Sequence, residues 1–158
     1  MKNCWHFDSP IGLLTIAEDG IGITDLFLRK NQIFKGFQEK RTPLLQEAQR
    51  QLGAYFAGKL REFRLSLSLH GTNFQLADWA ALQTIPYGET RSYGQIAAQL
   101  GKPEACRAVG GANGRNPAMI FVPCHRVICA DGSLGGFSSG EEIKRFLLEL
   151  EKAHRSSE

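Results

Sequence analysis

The spacing of hydrophobic and polar residues along the first third of the chain predicts its secondary-structure elements. Three short apolar runs open the sequence, at residues 5–7, 13–17 and 21–28. Asp19-Gly20 separates the second run from the third, and an Asp-Gly pair between apolar runs is typical of a β-hairpin turn. The pattern therefore predicts short strands joined by tight turns.

A helix and a further strand are predicted to complete this first region. Residues 43–57 carry an apolar stripe at helical spacing, with Thr42 at the N-cap, Pro43 at the first helical position and Gly58 just past the end. Residues 63–69 then alternate strictly between apolar and polar side chains, which is the period of a half-buried strand. We expect residues 1–70 to form an α/β domain, and no cluster in it suggests chemistry.

After a break at residues 71–73 the pattern becomes helical. Helices are predicted over residues 73–84, 92–100 and 103–113, with Gly101-Lys102-Pro103 ending the second and starting the third. Two short helices joined by a tight glycine-containing turn are the signature of a helix-turn-helix, although many helical hairpins share it without touching DNA. The predicted second domain is residues 73–158.

The third of these helices has two unlike faces. One face carries small apolar residues and is predicted to face the core, while the other consists of glycines and one arginine. Glycine inside a helix costs about 0.8 to 1 kcal/mol relative to alanine, so paired glycines outside the core favour close approach of something bulky, such as a DNA groove. The alternative is a helix that frays after Val109. The core face is Ala105, Ala108, Val109 and Ala112, and the bare face is Arg107, Gly110, Gly111 and Gly114.

Composition and charge narrow the class of protein. Apolar residues make up 42% of the chain and charged residues 22%, which suits a folded protein, and no apolar run is long enough to span a membrane. We expect a soluble, cytoplasmic protein without a membrane partner. The net charge is only +3, yet residues 90–130 contain five basic side chains and one acid. That stretch favours a phosphate-facing surface, with an ordinary solvated face as the alternative.

The candidate chemistry lies just after a short apolar run. Residues 119–122 are predicted to form a buried strand that leads directly into Pro123-Cys124-His125. A cysteine becomes a strong nucleophile only as a thiolate, which needs a nearby base, and His125 is the adjacent residue. None of the four cysteines forms a zinc-binding spacing, so no metal site is predicted.

Several sequence blocks together resemble one protein family. Pro123-Cys124-His125-Arg126-Val127 follows Asn116-Pro117 and precedes Gly135-Gly136-Phe137-Ser138, while Arg107-Ala108-Val109-Gly110 lies upstream. Ile85-Pro86-Tyr87-Gly88 and Leu147-Leu148-Glu149-Leu150-Glu151 agree as well, so the match extends over residues 73–152. These blocks resemble the O6-alkylguanine-DNA alkyltransferase family.

The resemblance implies a fold and a function. The fold would be a ribonuclease-H-like α/β domain followed by a mainly α domain with a winged helix-turn-helix. The function would be DNA repair, in which the alkyl group of O6-alkylguanine, and of O4-alkylthymine, moves irreversibly to the protein's own cysteine. The partner would be double-stranded DNA bound through the minor groove, with the damaged base flipped out. The resemblance implies no cofactor and a monomer.

Residue roles follow from the same resemblance. Cys124 would accept the alkyl group. His125 would take the thiol proton through a water molecule, and Glu151 would hold His125 in place. Tyr93 would donate a proton to the departing guanine, and Asn116 would order the cysteine loop. Without the resemblance, Glu151 reads as an ordinary surface residue of the last helix and Tyr93 as a core residue.

The resemblance also assigns a DNA surface and a base pocket. Arg107 would fill the gap left by the flipped base. Phe137 stands where tyrosine is frequent and Ser139 where glycine is frequent, which puts the tolerance of bulky alkyl groups in doubt. Residues implied to contact DNA besides Arg107 are Tyr93, Gly94, Lys102, Ala105, Gly110 and Gly111, and those implied to line the base pocket are Val127, Phe137, Ser138 and Ser139.

Two other classes of function compete with this interpretation. A module that only binds damaged DNA would share the fold but lack the reactive cysteine, so the retained Cys124 disfavours it. A thiol hydrolase would need an oxyanion hole and turnover, which no motif indicates. Cys129 is predicted to be a small buried residue without a chemical role.

Overall fold

The computed structural model describes residues 2–28 and 36–155 and divides the chain into two compact units. One unit ends at His70 and the other begins at Gly71, and each is described by itself. Residues 1, 29–35 and 156–158, which belong to the two predicted domains, lie outside the described residues.

A four-stranded sheet forms the first unit, with strand order β3-β2-β1-β4. Strand β1 (Lys2–Ser9) pairs antiparallel with β2 (Gly12–Glu18), which pairs antiparallel with β3 (Ile23–Leu28), whereas β4 (Phe37–Glu39) runs parallel to β1. The strands predicted at residues 5–7, 13–17 and 21–28 are confirmed, each within a few residues of its predicted ends.

The predicted hairpin turn at Asp19-Gly20 is also confirmed. The Asp19 carboxylate accepts hydrogen bonds from the backbone N–H groups of Ile21 and Gly22 at 2.9 and 3.1 Å. Gly20 has a φ of +88°, a conformation that side chains other than glycine rarely adopt. Local chemistry therefore fixes the register of β2 against β3.

Helix α1 (Pro43–Phe56) packs against β1 and β2. Thr42 caps it by accepting a hydrogen bond from Leu45 N, and Pro43 occupies the first turn, as the sequence predicts. Its buried apolar residues recur at helical spacing and close the core of this unit over the sheet; they are Leu45, Ala48, Leu52 and Tyr55.

The prediction of a strand over residues 63–69 is wrong. The segment makes a single bridge, between Ile23 and Leu67, and forms no continuous ladder. The Gln51 carboxamide instead hydrogen-bonds to the backbone of this segment. It accepts from Arg64 N at 2.9 Å and donates to Arg64 O at 3.2 Å. A side chain of α1 has thus taken over hydrogen bonds that a neighbouring strand would need.

The second unit is mainly helical. Its first three helices pack against one another, and β5 runs parallel to β6. Thr72 and Ser92 each form a capping box at the start of a helix, which explains why two of the helices begin where the sequence predicts. The elements in chain order are α2 (Asn73–Leu82), β5 (Arg91–Ser92), α3 (Tyr93–Gln99), α4 (Cys106–Gly114), a 3-10 helix (Cys124–Arg126), β6 (Val127–Ile128) and α5 (Glu141–His154).

Helix α4 differs from its prediction at its start and on its core face. It begins at Cys106, not residue 103, because Lys102 O accepts from Ala105 N in a preceding turn. It then continues to Gly114, so fraying after Val109 does not occur. Val109 and Ala112 are buried as predicted, but Ala108 is exposed. The buried face is therefore narrower than the apolar pattern indicates.

The strand predicted over residues 119–122 is a tight turn. Phe121 N donates to Met119 O, and Ile120 has a φ of 74°, which is rare for a β-branched residue. The Asn116 side chain holds the turn, since its oxygen accepts from Ala118 N at 2.9 Å and its amide donates to Val122 O at 2.8 Å. The apolar run is buried as predicted, but it is folded back on itself.

Helix α5 buries two charged side chains. Lys144, Leu147 and Glu151 follow one another at spacings of three and four, and they are the most buried residues of the helix. A buried lysine and a buried glutamate on one face need partners, and those partners lie in the cysteine region. No helix of the described residues combines the length and the apolar character needed to cross a membrane.

Candidate active site

A pocket of about 480 Å³ opens in the second unit beside Cys124. Its walls come from α3, from α4 and from the loop before α5, and they are largely apolar. Cys124 is 5% exposed and begins the 3-10 helix that follows Pro123. The lining residues are Tyr93, Cys106, Arg107, Gly110, Asn113, Gly114, Cys124, Cys129, Gly135, Gly136, Phe137 and Ser138.

The environment of the Cys124 thiol keeps it protonated at rest. Burial raises the pKa of Cys124 to about 11, although a hydrogen bond from Asn116 and the charge of Lys144 act in the opposite direction. The Asn116 amide nitrogen lies 3.2 Å from Sγ and also donates to Val122 O. This side chain therefore joins the sulfur to the turn that precedes it.

A buried carboxylate links the residues next to the cysteine. Oε2 of Glu151 lies 2.6 Å from Nε2 of His125, and the Arg126 guanidinium donates to Oε1 at 2.8 Å and to Oε2 at 3.0 Å. Gly88 N adds a hydrogen bond to Oε1 at 3.2 Å. His125 and Glu151 are 0% and 1% exposed, so the network is shielded from solvent.

These contacts set the charge of the network. Burial lowers the pKa of His125, against the opposing effect of Glu151, so the imidazole is neutral near pH 7. Burial alone would raise the pKa of Glu151, but hydrogen bonds and charges from His125 and Arg126 outweigh it, and the pKa lies well below its usual range. An ionised Glu151 then holds the Nε2–H tautomer of His125. Nδ1 is left buried without a partner among the described residues, and it is available as a proton acceptor.

Tyr93 is another residue that lines the pocket. It is the first residue of α3, and burial raises the pKa of its phenol, which is therefore protonated near neutral pH. A Cβ at Gly135 would lie 2.8 Å from the Tyr93 hydroxyl, so only glycine fits at that position. Cys124, His125, Glu151, Asn116 and Tyr93 thus lie around one pocket and the network behind it.

The residues implied to contact DNA lie on or near α4. Arg107 is exposed at the pocket rim, and Gly110 lines the pocket, where a Cβ would lie 3.9 Å from the Tyr93 ring. Gly111 faces open space. Lys102 is exposed in the turn before α4, with its ammonium 5.4 Å from the centre of the Phe74 ring.

The two smaller residues of this group lie where α3 and α4 begin. Gly94 is the second residue of α3 and is half-buried, and Ala105 is the N-cap residue of α4. A Cβ at Gly94 would lie 3.9 Å from Sγ of Cys106. The predicted contact residues are therefore spread over the start of α3, the turn between the two helices and α4.

The pocket includes two of the four residues implied for it. Phe137 and Ser138 are part of the lining. Val127 lies outside it because its side chain is fully buried at the start of β6, and Ser139 lies outside it with its hydroxyl 3.2 Å from the Met119 sulfur. Cys129, interpreted above as a buried residue, is half-buried and lines the pocket.

Sequence reasoning missed Lys144. Its side chain is 0% exposed, its ammonium donates to Gly136 O at 3.1 Å, and it lies 5.8 Å from the centre of the Tyr93 ring. Burial lowers the pKa of Lys144, whereas the thiol groups of Cys124 and Cys129 act against this shift. Its helical spacing to Glu151 was the available signal, since both residues fall on the buried face of α5.

No cluster of three or more His, Cys, Asp or Glu side chains suited to a metal ion occurs in residues 2–28 and 36–155. The pocket and the network behind it bring together a thiol, a neutral imidazole, a phenol and a buried ammonium group.

Two family models account for nearly all of the chain. The 6-O-methylguanine DNA methyltransferase ribonuclease-like domain matches residues 4–69, and the DNA binding domain of the same family matches residues 73–153. The chain belongs to the 6-O-methylguanine DNA methyltransferase family, whose enzymes are methylated-DNA–protein-cysteine methyltransferases. The expected ribonuclease-like and helical DNA-binding domains are confirmed.

Individual relatives agree over almost their full length. The methylated-DNA–protein-cysteine methyltransferase of Mycolicibacterium paratuberculosis is 52% identical over 93% of this chain and 90% of its own. The constitutive enzyme of Bacillus subtilis is 49% identical over 92% of each chain. A crystal structure of Mycobacterium tuberculosis OGT in complex with DNA superimposes with a TM-score of 0.90 at 52% identity, covering 96% of this chain and 94% of that one.

Replacing Lys144 with methionine tests its effect on the thiol. Without the ammonium group the Cys124 thiolate loses its buried cation, so we expect its alkylation by iodoacetamide at pH 9 to slow by about three- to tenfold. Peptide mapping by mass spectrometry measures the rate at Cys124 alone. The control is Arg145→Met, which removes an exposed charge from the adjacent position. Equal rates in the two variants would contradict an influence of Lys144 on the thiol.

Proposed function

We propose that this chain repairs alkylated DNA by moving the alkyl group of O6-alkylguanine to Sγ of Cys124. The observation that carries the proposal is a nearly buried thiol at an apolar pocket, next to a histidine fixed by a buried glutamate. The sulfur attacks the alkyl carbon, the carbon–oxygen bond breaks and the electron pair leaves with the base. The product is a thioether, so each molecule acts once.

The thiol is activated only when it reacts. Because the pKa of Cys124 is raised by burial, a base has to take its proton, and the neutral His125 has a free Nδ1 for that purpose. We propose that a water molecule carries the proton between them. The imidazolium that forms is stabilised by the ionised Glu151, which in turn is held by Arg126.

The leaving base also needs a proton. An alkylated guanine that departs as an anion is a poor leaving group, whereas protonation of its ring makes it neutral. Tyr93 lines the pocket with a protonated hydroxyl and is proposed as this donor. The Lys144 ammonium near the Tyr93 ring stabilises the phenolate that results.

Access to a base in duplex DNA requires that the base leave the stack. We propose that α3 and α4 act as the helix-turn-helix of a winged domain, with α4 in the minor groove. The glycines of α4 permit close approach, Arg107 occupies the gap left by the flipped base, and Lys102 contacts phosphate. Exposed Arg107 at the rim of the pocket supports this assignment.

The pocket is proposed to read the base through the main chain. Backbone groups of Cys124 and Ser138, which line the pocket, would bind the guanine edge and its O6, with Phe137 as a wall. Val127, whose side chain lies outside the pocket, would contribute only through its main chain, and O4-alkylthymine would be a second substrate. All of the groups invoked come from one chain, and they supply the nucleophile, the base and the acid. We therefore propose a monomer that needs no cofactor. We also propose that it works in the cytoplasm.

Free O6-benzylguanine tests the reaction without DNA. Incubation should add one benzyl group to the chain, as measured by intact mass, and peptide mapping should place it on Cys124. We expect Cys124→Ser to lose the adduct, because serine is far less nucleophilic, while Cys4→Ser keeps it. No adduct on the parent chain, either from O6-benzylguanine or from duplex DNA carrying the smaller O6-methylguanine, would favour a binding module, and repeated turnover would favour a hydrolase.

Glu151→Gln tests the role of the carboxylate behind His125. Gln cannot stabilise the imidazolium by charge, so we expect transfer to slow by about 10- to 1,000-fold and the rate to need a higher pH. Because the change also leaves Arg126 unpaired, circular dichroism must first show that the variant is folded at the assay temperature. An unchanged rate and pH profile in folded protein would remove Glu151 from the mechanism.

Arg107→Ala separates access to the base from chemistry. If Arg107 stabilises the flipped state, the variant loses repair of alkylguanine in duplex DNA but reacts normally with free O6-benzylguanine, which needs no flipping. The measurement is the second-order rate constant for both substrates. If Arg107 only contacts phosphate, the loss disappears at saturating protein or low salt. Equal losses on both substrates would rule out the proposed role.

A further inference from the structure

Asp78 is a buried carboxylate that the mechanism above does not use. It lies on α2 with an exposed fraction of 0%, next to Trp79. The Trp79 indole donates to Ala112 O at 2.9 Å, and the Asn113 amide, oriented so that its nitrogen donates, reaches the Asp78 carboxylate at 2.5 Å and Val109 O at 3.2 Å. Two consecutive residues of α2 thus bind two consecutive residues of α4.

Nothing in the packing requires a charge at this position. The carboxylate makes no salt bridge with a cation of residues 2–28 or 36–155, and burial raises its pKa to about 7. An apolar side chain of similar size would pack α2 against α4 without this desolvation cost. A buried acid with one amide donor therefore calls for a role beyond packing.

Two connections lead from Asp78 to the reacting sulfur. Asn113, to which it is bonded, lines the pocket beside Cys124. The negative charge of Asp78 also acts on the Cys124 thiol and disfavours the thiolate, which is opposite in sign to the effect of Lys144 from α5. Asn116 donates to the sulfur, and the titratable side chains near it in the described residues include Tyr93 of α3 and the neutral His125. Cys106 and Cys129 line the same pocket.

We propose that Asp78 is a positioning residue for the Cys124 pocket: it fixes Asn113 in the α4 wall, and its buried carboxylate, once ionised, opposes thiolate formation. The inference rests on the proposed alkyl transfer for its biological meaning. The charge part applies to the thiol itself and can be measured without that reaction.

The proposal has a consequence for pH dependence. At pH values well below 7 Asp78 is mostly neutral and has little effect on the sulfur, whereas well above pH 7 it is mostly ionised and opposes thiolate formation. The reactivity of Cys124 therefore rises less steeply with pH than that of a single isolated thiol. Removing the charge should increase reactivity only above the pH at which Asp78 ionises.

Residue-resolved alkylation by iodoacetamide tests the charge effect. Asp78→Asn keeps the size of the side chain and an oxygen that accepts from Asn113. We expect Cys124 in this variant to react about three- to tenfold faster than the parent at pH 8.5 and within twofold of it at pH 6. The control is Asp131→Asn, which removes an exposed carboxylate from the same unit and should match the parent at both pH values. A ratio independent of pH, or no change, would overturn the charge effect.

A double-mutant cycle tests the connection through Asn113. The readout is the second-order rate with free O6-benzylguanine at pH 6, where Asp78 carries no charge. If Asp78 acts on the wall by holding Asn113, the losses from Asp78→Ala and Asn113→Ala are not additive, and the double variant resembles Asn113→Ala. Additive losses would overturn the positioning role.

The two assays separate this inference from the proposed function. Should the parent chain react neither with O6-benzylguanine nor with duplex DNA that carries the smaller O6-methylguanine, alkyl transfer itself is wrong. Iodoacetamide still decides whether Asp78 controls the thiol in that case. If Asp78→Asn does not fold, Asp78→Ser, which also removes the charge and can accept from Asn113, replaces it in the same comparison.

Discussion

The Glu151 carboxylate is the constraint on which the helical unit depends. It is almost fully buried, and it receives hydrogen bonds from His125, from the Arg126 guanidinium and from the backbone of Gly88. Arg126 also donates to Ile85 O at 2.7 Å. One carboxylate therefore joins α5, the 3-10 helix and the turn after α2. Removing one partner would leave an uncompensated buried charge, which is costly enough to hold all three elements in one arrangement.

That arrangement gives the two sides of the cysteine different properties. Behind it, the ionised glutamate and the neutral imidazole form a rigid base whose free nitrogen is fixed by the bond that its partner nitrogen makes. In front of it, the pocket is apolar and open at the rim. Burial is the main reason that the thiol stays protonated, and the charges of Lys144 and Asp78 then act on the same sulfur with opposite signs from two helices.

The sequence predicts this fold best where local chemistry decides the conformation. The turn after β2 and the starts of α1, α2 and α3 each have a cap or turn residue within three positions. Predictions fail where a distant side chain takes over backbone hydrogen bonds. Gln51 does so for the segment at 63–69, and Asn116 does so for the turn at 119–122. The pattern of apolar residues indicates burial in both cases, but it does not show which partner satisfies the backbone hydrogen bonds.

Some residues of the candidate site were predictable from the sequence and others were not. The resemblance of short blocks selected the thiol, the histidine and the glutamate, and the structure brings these residues together. Lys144 and Asp78 lie outside those blocks or at ordinary positions of amphipathic helices, where charged residues usually face solvent. Only the packing of α2 reveals that Asp78 is buried, whereas the helical spacing of Lys144 to Glu151 is a weak signal that the packing of α5 confirms. Their effect on the sulfur depends on distances through space, which no spacing along the chain encodes.

Burial of the Cys124 thiol also has a consequence for the working life of the molecule. A protein that is consumed by a single reaction is wasted whenever its sulfur meets the wrong electrophile or oxidant. Thiolates, not neutral thiols, carry out those side reactions. A sulfur that is 5% exposed and protonated at neutral pH is chemically quiet until a ligand fills the pocket. The burial that slows the unassisted thiol therefore also protects it from side reactions, so that an unreacted molecule stays active until it meets a lesion.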